Sequence, residues 1–293
     1  MNKIKSFHPL TIFIFFILNM TFTLFTYNPI ILGISLIVSL LYSLYYHDFK
    51  IFLGNIGFYL FTILLIVLIN PLFNHRGMTI LFFLNEQAIT QESIIFGFAI
   101  ALALVSIIVW SSIFSYTMDT DKNMYLFSKV SVNLALIVAL VLRFIPEMKK
   151  KKQEFIDTQT TLGMKKTKSL SVRLSINYQI LLALITWSLE HYLTLSLSMK
   201  ARGHKQGKRS YYHSYAFTLK DFVIMLFGGL LLAFYIYCNY KGHLYFYYYP
   251  VIGELKFNAF SIILFSASFL FMLAPLIYEL GVSLKWFFLR RKI

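Results

Sequence analysis

Charge and cysteine are both scarce in this sequence. Only 13% of the 293 residues are charged, whereas soluble domains carry about 25% charged residues. Cys238 is the single cysteine, which excludes a disulfide within the chain and a cluster of cysteine metal ligands. With 58% hydrophobic residues and a mean hydropathy of +0.70, a chain of this length cannot bury its apolar surface in its own core. The composition therefore predicts an integral membrane protein.

Patterns that mark catalytic, metal or nucleotide sites are also missing from the sequence. It contains no His-Glu-x-x-His, no acidic pair at helical spacing within the six long apolar runs, and no glycine-rich loop ending in Lys-Ser or Lys-Thr. The seven histidines are scattered, and we expect interface or loop positions for them rather than ligand roles. No internal repeat suggests the two halves of a secondary transporter. We therefore expect no catalytic group, no cofactor and no metal, and a function that depends on partners.

Positive charge is abundant and unevenly placed, with a net charge of +15. The basic residues crowd into two segments between apolar runs and into the C-terminal tip. This placement is typical of orientation signals in membrane proteins rather than of a nucleic-acid surface. We therefore expect no nucleic-acid partner.

Six runs meet the requirement of about 20 mostly apolar residues for a membrane-spanning helix. They are approximately 10–27, 30–46, 51–70, 93–117, 221–240 and 258–281. The first follows two lysines without a small-residue cleavage site, so we expect a retained helix rather than a signal peptide. Asn28-Pro29 predicts a tight turn between the first two runs, and Asn70-Pro71 predicts the end of the third.

Two further runs, 124–146 and 175–199, are ambiguous because they flank a basic connector over residues 147–174. All the basic clusters face the cytoplasm only if neither run crosses the membrane fully, which also places both termini inside. We therefore predict an all-α polytopic membrane protein with about six spanning helices. Its predicted parts are N-terminal spans in 1–120, two cytoplasmic or in-plane helices in 121–215, and C-terminal spans in 216–293. The apolar faces of the two cytoplasmic or in-plane helices either pack on neighbouring helices or bind a second membrane protein.

The second of these runs leads into the basic stretch SMKARGHKQGKR, residues 198–209. The helix is expected to run through Arg202 and stop at Gly203, because glycine is favoured just past a helix terminus. Lys200 and Arg202 complement the negative end of the helix dipole. On spacing alone, these basic residues fit anchoring to anionic lipid, at about 1 kcal/mol for each residue near the surface.

Five stretches of the sequence form a recognisable set: SMKARG after a long apolar helix, LRFIPEMKKKK, FIDTQTTLGM, FHPLT near the N-terminus, and NPLFNHRGMTILFFLN at 70–85. Together they resemble the T component of energy-coupling factor transporters, the membrane coupling protein of ABC-type vitamin and metal importers. The likeness covers nearly the whole chain and is densest from Leu142 to Arg209. It implies a non-catalytic subunit with two crossed cytoplasmic helices, each of which ends in an Ala-Arg-Gly-like motif.

The resemblance also implies partners and site residues. Each motif seats on one of two cytoplasmic ABC-type ATPase subunits, and a substrate-binding S component lies in the membrane. The second motif, Ala201-Arg202-Gly203, is intact, with Lys200 beside it. The first falls at Thr161-Leu162-Gly163 and lacks the family's arginine, for which Lys165 and Lys166 are possible substitutes. Two alternatives remain open: a polytopic membrane enzyme acting on lipid-like or phosphate-bearing substrates, and a free-standing channel or carrier.

Overall fold

The computed structural model describes residues 7–84, 87–163, 170–204, 215–255 and 257–290, which form nine helices and one β-hairpin. The helices are α1 (Pro9–Phe25), α2 (Pro29–Tyr46), α3 (Phe49–Phe73), α4 (Gln91–Thr117), α5 (Thr120–Val130), α6 (Val132–Thr161), α7 (Leu170–Ala201), α8 (Leu219–Tyr240) and α9 (Ala259–Arg290). The antiparallel strands β1 (Ile80–Leu84) and β2 (Gln87–Thr90) connect α3 to α4.

Among the described residues, six helices are long and apolar enough to cross a membrane, namely α2, α3, α4, α7, α8 and α9. The count agrees with the prediction of about six spans in an all-α polytopic protein, but the membership differs. Helix α1 has only 17 residues, while α7 qualifies with the lowest mean hydropathy of the six, 1.4. The length and composition of α7 thus allow a crossing that the distribution of basic residues disfavours. Its placement outside the bilayer stays a prediction.

Three details differ from the sequence expectations. Helix α3 does not end at Asn70-Pro71 but continues to Phe73, because Pro71 lies in the last turn and removes only one hydrogen-bond donor there. The run 124–146 is not one helix, since Ser131 is extended (φ −155°) and separates α5 from α6. The hairpin was not foreseen, because its first strand, ILFFL, is apolar on both faces and lacks the alternation that identifies a strand.

The chain forms two compact units, Met1–Lys122 with Tyr215–Ile293, and Asn123–Ser214. In the first unit, α4 packs against α1, α2 and α3, while α9 packs against α2 and α8. Trp110 of α4 is fully buried within this unit, and its indole Nε1 donates to the Ser35 hydroxyl of α2 at 3.1 Å. The second unit contains α6, α7 and most of α5.

Tyr42 of α2 fastens α9 at an interruption of its backbone hydrogen bonds. Its hydroxyl donates to the carbonyl of Met272 at 2.9 Å and accepts from the N–H of Leu276 at 3.1 Å. A regular helix would join these two backbone groups to each other, and Pro275 stands between them. A buried side chain therefore satisfies the backbone groups at a proline in the middle of the helix.

The helix starts follow ordinary capping chemistry. Asn28 accepts from the N–H of Ile30 at 3.1 Å with Pro29 at the first helical position, as the predicted turn requires. Thr218 and Asp221 form a reciprocal capping box at the start of α8. Asp221 also accepts from the backbone N–H of His8 at 3.0 Å, so the starts of α1 and α8 are tied together.

Candidate functional site

The end of α7 carries the basic motif in a well-defined turn. The helix ends at Ala201, one residue earlier than expected, and Gly203 adopts a left-handed conformation with φ +77°. The N–H of Gly203 donates to the carbonyl of Lys200 at 3.0 Å, and that of His204 donates to Met199 at 3.0 Å. These two bonds form a Schellman motif, in which glycine avoids the strain that a Cβ would impose.

The end of α6 has matching geometry. The helix ends at Thr161, and Gly163 has φ +79°. The N–H of Gly163 donates to the carbonyl of Thr160 at 3.0 Å. This hydrogen bond reaches three residues back, like the one from Gly203 to Lys200. The stretches 161–163 and 201–203, singled out in the sequence, thus occupy equivalent positions at the ends of two long helices.

The side chains at both ends are accessible. Thr161, Leu162, Lys200, Ala201 and Arg202 are exposed, Leu162 to 65%. Within the described ranges, no acidic side chain forms an ion pair with Arg202. Its guanidinium is therefore available to a carboxylate of another protein. Lys165 and Lys166, the possible substitutes beside the first motif, lie outside the described residues.

Aromatic rings join α6 to α7. Phe144 of α6 is 8% exposed and lies against Trp187, His191 and Tyr192 of α7, with ring-centroid distances of 5.5, 5.6 and 4.7 Å. The Phe144 and Trp187 rings are stacked, with an angle of 7° between their planes. Burial of rings of this size dominates the energy of a small helix–helix contact.

An ion pair lies next to these rings. The Nε2 atom of His191 is 3.3 Å from Oε2 of Glu147, and Nε of Arg143 is 3.4 Å from the other carboxylate oxygen. Further along α6, the Lys151 ammonium lies 6.0 Å from the centroid of the Trp187 ring. Residues later in α6 thus meet residues earlier in α7, so the two helices run in opposite directions where they touch.

The direction of the helices separates their motifs. By the helical rise of about 1.5 Å per residue, Thr161 lies roughly 26 Å along α6 from Phe144, and Ala201 lies about 15 Å along α7 from His191. Because the helices are antiparallel at the contact, their C-terminal ends extend from it in opposite directions. The C-terminal ends of α6 and α7 therefore lie apart, on opposite sides of the contact between the two helices.

Each of these helices also exposes an apolar face. Leu134, Ile137, Val141 and Ile145 follow helical spacing along α6, and each is more than two-fifths exposed. On α7 the corresponding set is Leu174, Tyr178, Leu181 and Ile185. Contiguous apolar surface of this kind marks a contact with lipid or with another protein.

The resemblance implied that the two helices cross, but the sequence analysis did not identify the residues of the contact. His191, for which an interface or loop position was expected, lies within α7 at this helix–helix interface. Trp187 and His191 are four residues apart, as are Arg143 and Glu147, so each pair occupies one helix face. That spacing was a usable signal, although it does not reveal that the two faces meet.

The buried carboxylates of the first unit have structural partners. Glu92 accepts from the backbone N–H groups of Met78 at 3.3 Å and Thr79 at 3.2 Å. Glu279 lies well inside α9 and accepts from the Tyr46 hydroxyl. Over the described residues, no group of three or more His, Cys, Asp or Glu side chains is arranged to hold a metal ion.

These features define a multi-pass membrane protein with an exposed pair of glycine-terminated helix ends. The chain belongs to the cobalt transport protein (CbiQ) family, which matches residues 2–213. It is 27% identical over 187 residues to the energy-coupling factor transporter transmembrane protein EcfT of Bacillus selenitireducens, covering 58% of this chain and 70% of that relative. Over 217 residues it is 24% identical to an ABC transporter ATP-binding protein of Bifidobacterium longum, covering 69% of this chain but 28% of that relative. The chain is thus a membrane component of a transport system.

Proposed function

We propose that this chain is the non-catalytic coupling subunit of an energy-coupling factor importer of the ABC type. In this role it transmits the ATP-driven motion of two cytoplasmic ATPases to a substrate-binding S component in the membrane, for uptake of a vitamin or a metal ion. The observation that carries the proposal is the matched geometry of the two helix ends. The C-terminal ends of α6 and α7 extend in opposite directions from the contact between the two helices. Each ends in an equivalent turn, at 161–163 and at 201–203, and these two turns fit two equivalent ATPase subunits.

The named relatives support an ATPase partner. One is a transmembrane protein of an energy-coupling factor transporter. The other is an ATP-binding protein, and this chain resembles a segment that makes up 28% of it. A segment of this kind within an ATP-binding protein favours a physical association between the two functions.

The second helix end supplies the stronger contact in this scheme. Arg202 donates charge-assisted hydrogen bonds to a carboxylate on the ATPase, worth roughly 1.5–3 kcal/mol when well seated. Ala201 and Gly203 have little or no side chain, so the partner surface can approach the backbone closely. The 3.0 Å hydrogen bonds of the Schellman motif hold this turn in place.

The first helix end docks mainly by shape. Leu162 presents an apolar side chain where the family often has arginine, so this end forms no ionic contact through that position. The exposed Leu162 instead contacts an ATPase groove that also accommodates the family's usual arginine. The two ends therefore bind their ATPases with unequal strength.

Motion is transmitted by the stiffness of the helices. Helix α7 is continuous over 32 residues without a proline, so displacement of its end carries the whole helix with it. Helix α6 extends over 30 residues with Pro146 inside it, and the 15 residues that follow Pro146 carry the motion of its end. Their exposed apolar faces contact the S component, which moves when the ATPases close on ATP. The clusters of basic residues face the cytoplasm, where they also contact anionic lipid, and both chain termini lie on the same side of the cell membrane.

Copurification tests this proposal against an enzyme or a free-standing carrier. The full chain, tagged and extracted in mild detergent from its own cells, is expected to retain proteins that an ATP photoaffinity probe labels. The chain purified alone is expected to hydrolyse no ATP. Recovery of the chain without ATP-binding proteins, or ATP hydrolysis by the chain alone, would overturn the assignment.

A further inference from the structure

We propose that the hairpin of β1 and β2 rests in the headgroup region of the membrane and anchors the first unit by contacting phospholipid with both faces of β1. The apolar residues that make this contact, here named the hairpin surface, are between 50% and 69% exposed; they are Met78, Ile80, Leu81, Phe82 and Phe83. The occupant of this surface is a lipid layer rather than a second protein. The inference goes beyond the coupling role and needs neither an ATPase nor an S component.

Both faces of β1 are apolar and exposed. Phe82 pairs with Ile89 and Phe83 pairs with Ala88 in antiparallel register. Successive side chains of a strand point to opposite faces, so Phe82 and Phe83 lie on different faces, and both are more than half exposed. A protein partner that packs on a hairpin covers one face, whereas lipid can surround both. The sequence carries no charge from residue 77 to residue 84, and Glu86, between the strands, lies outside the described residues.

The hairpin surface continues the apolar surface of the preceding spanning helix. Three of the 25 residues of α3, all of which the structure describes, are buried. A candidate span that is so little buried presents most of its surface to the membrane. Near its C-terminal end, Leu72 and Phe73 are exposed, and Met78 follows four residues after the helix ends. Exposed apolar residues therefore extend from the membrane span into the hairpin.

Tyrosines at the same end of the first unit indicate the depth of the hairpin. Tyr240, Tyr245 and Tyr247, around the connection between α8 and α9, are each about half exposed or more. Exposed tyrosines concentrate at the level of the lipid headgroups in membrane proteins. The N–H of Met78 donates to the carbonyl of Pro250 at 3.2 Å, so the start of the hairpin is tied to this connection. The hairpin surface therefore lies near the headgroup level.

The open edges of the hairpin place it at the boundary of the bilayer rather than deep inside it. A two-stranded sheet leaves backbone N–H and C=O groups unpaired along its outer edges, and the hydrocarbon core cannot hydrogen-bond them. Headgroups and water can. Apolar elements at this level insert about 5–10 Å, to the boundary between headgroups and acyl chains. Arg76, exposed just before β1, suits the lipid phosphates at the same depth.

The start of the hairpin is fixed to α4. Glu92, in the first turn of α4 and 1% exposed, accepts from the backbone N–H groups of Met78 and Thr79. A Cβ at Gly77 would lie 2.5 Å from Oε2 of Glu92, so this close approach requires glycine. The hairpin is thus held by the body of the first unit, and its contact with lipid acts on that unit as a whole.

Accessibility of spin labels in the chain without partners tests the inference. Single cysteines for labelling replace Phe82 or Phe83 in the full chain with Cys238→Ala, reconstituted in nanodiscs of phosphatidylcholine and phosphatidylglycerol. Electron paramagnetic resonance then measures collisions with oxygen, which concentrates in lipid, and with a water-soluble nickel chelate. Labels at the exposed Leu64 of α3 and Thr160 of α6 give the hydrocarbon and water references. At both hairpin positions the ratio of oxygen to nickel collisions is expected to exceed that at Thr160 at least about threefold and to stay below that at Leu64, as a depth of about 5–10 Å requires.

A charged substitution tests whether apolar contact holds the hairpin in place. Phe83→Asp, measured with the label at position 82, should lower the ratio to within about twofold of the water reference, because an ionised carboxylate favours water over the acyl boundary. Gln87→Asp, at an exposed polar position of β2, is the matched control and should leave the ratio unchanged. Circular dichroism confirms that each variant keeps its helix content.

Three outcomes would overturn the inference. The first is a ratio at position 82 or 83 equal to the water reference, which would place that face in solution. The second is a label that neither reagent reaches, since protein would then cover that face. The third is a ratio at position 82 that does not respond to Phe83→Asp, which would show that packing alone holds the strand. Each result stands whether or not the chain binds an ATPase.

Discussion

Adjacent glycines in α8 provide a sharp test of how the first unit is packed. A Cβ at Gly228 would lie 2.8 Å from Cδ1 of Leu18 and 3.0 Å from two ring atoms of Phe271. A Cβ at Gly229 meets nothing within 4 Å. Gly228→Ala should therefore destabilise the protein relative to Gly229→Ala.

The magnitude follows from which neighbour can move. Leu18 is partly exposed and its methyl group can rotate away, but Phe271 is 1% exposed, with its ring centroid 5.2 Å from that of Phe15 and 5.8 Å from that of Phe227. Overpacking of a core usually costs about 1–3 kcal/mol. Both variants gain the same helix propensity of roughly 1 kcal/mol, so the difference between them isolates the steric clash. We expect Gly228→Ala to unfold with about 1–3 kcal/mol less free energy than Gly229→Ala.

Unfolding of both variants by sodium dodecyl sulfate in mixed micelles, followed by circular dichroism, gives this difference directly. Equal free energies of unfolding, or a less stable Gly229→Ala, would refute the close approach of α8 to α1 and α9. The unmodified chain serves as the reference for the gain in helix propensity.

Two further predictions concern the second unit. Leu162→Arg should be tolerated, with complex yield within about twofold, because the side chain is 65% exposed and a cation at a helix C-terminus contributes about 0.3–1 kcal/mol; loss of assembly would contradict the proposed alignment of 161–163. In a chain with Cys238→Ala, a cysteine at the exposed Lys150 should react with an impermeant thiol reagent only after the cells are permeabilised. Tyr240→Cys, at an 86% exposed position on the predicted outer side, is the control that should react in intact cells. Labelling of position 150 from outside would refute the cytoplasmic placement of the connector.

Much of the helical architecture could be predicted from the sequence, because lipid imposes long apolar runs. The runs at 30–46 and 93–117 match α2 and α4 within two residues at each end. The hairpin could not be predicted, since its apolar first strand has no alternation. The break at Ser131 was also hidden, because a single extended residue leaves no trace in an apolar pattern.

In the candidate site, too, some features could be predicted from the sequence and others could not. Gly203 marked the end of α7 in advance, since glycine is the residue suited to the left-handed turn that closes a helix. The end of α6 at Gly163 was indicated only by the family resemblance. The resemblance implied that α6 and α7 cross, but the residues that form the contact were not predicted. They depend on which faces of two separate helices meet, and in this sequence only the spacing of Trp187 and His191 indicates one of these faces.

The central claim is that the α7 end docks an ATPase through Arg202, and paired substitutions test it most directly. Arg202→Ala and Lys200→Ala each remove one exposed positive charge from the same turn. Measured by titration of the purified ATPase onto the chain in nanodiscs, Arg202→Ala is expected to weaken binding by roughly 10- to 150-fold, from a loss of about 1.5–3 kcal/mol. Lys200→Ala should change binding by less than about threefold, as expected for an exposed charge. Equal affinities for the two variants would contradict the claim, because they would show only a general attraction of positive charge.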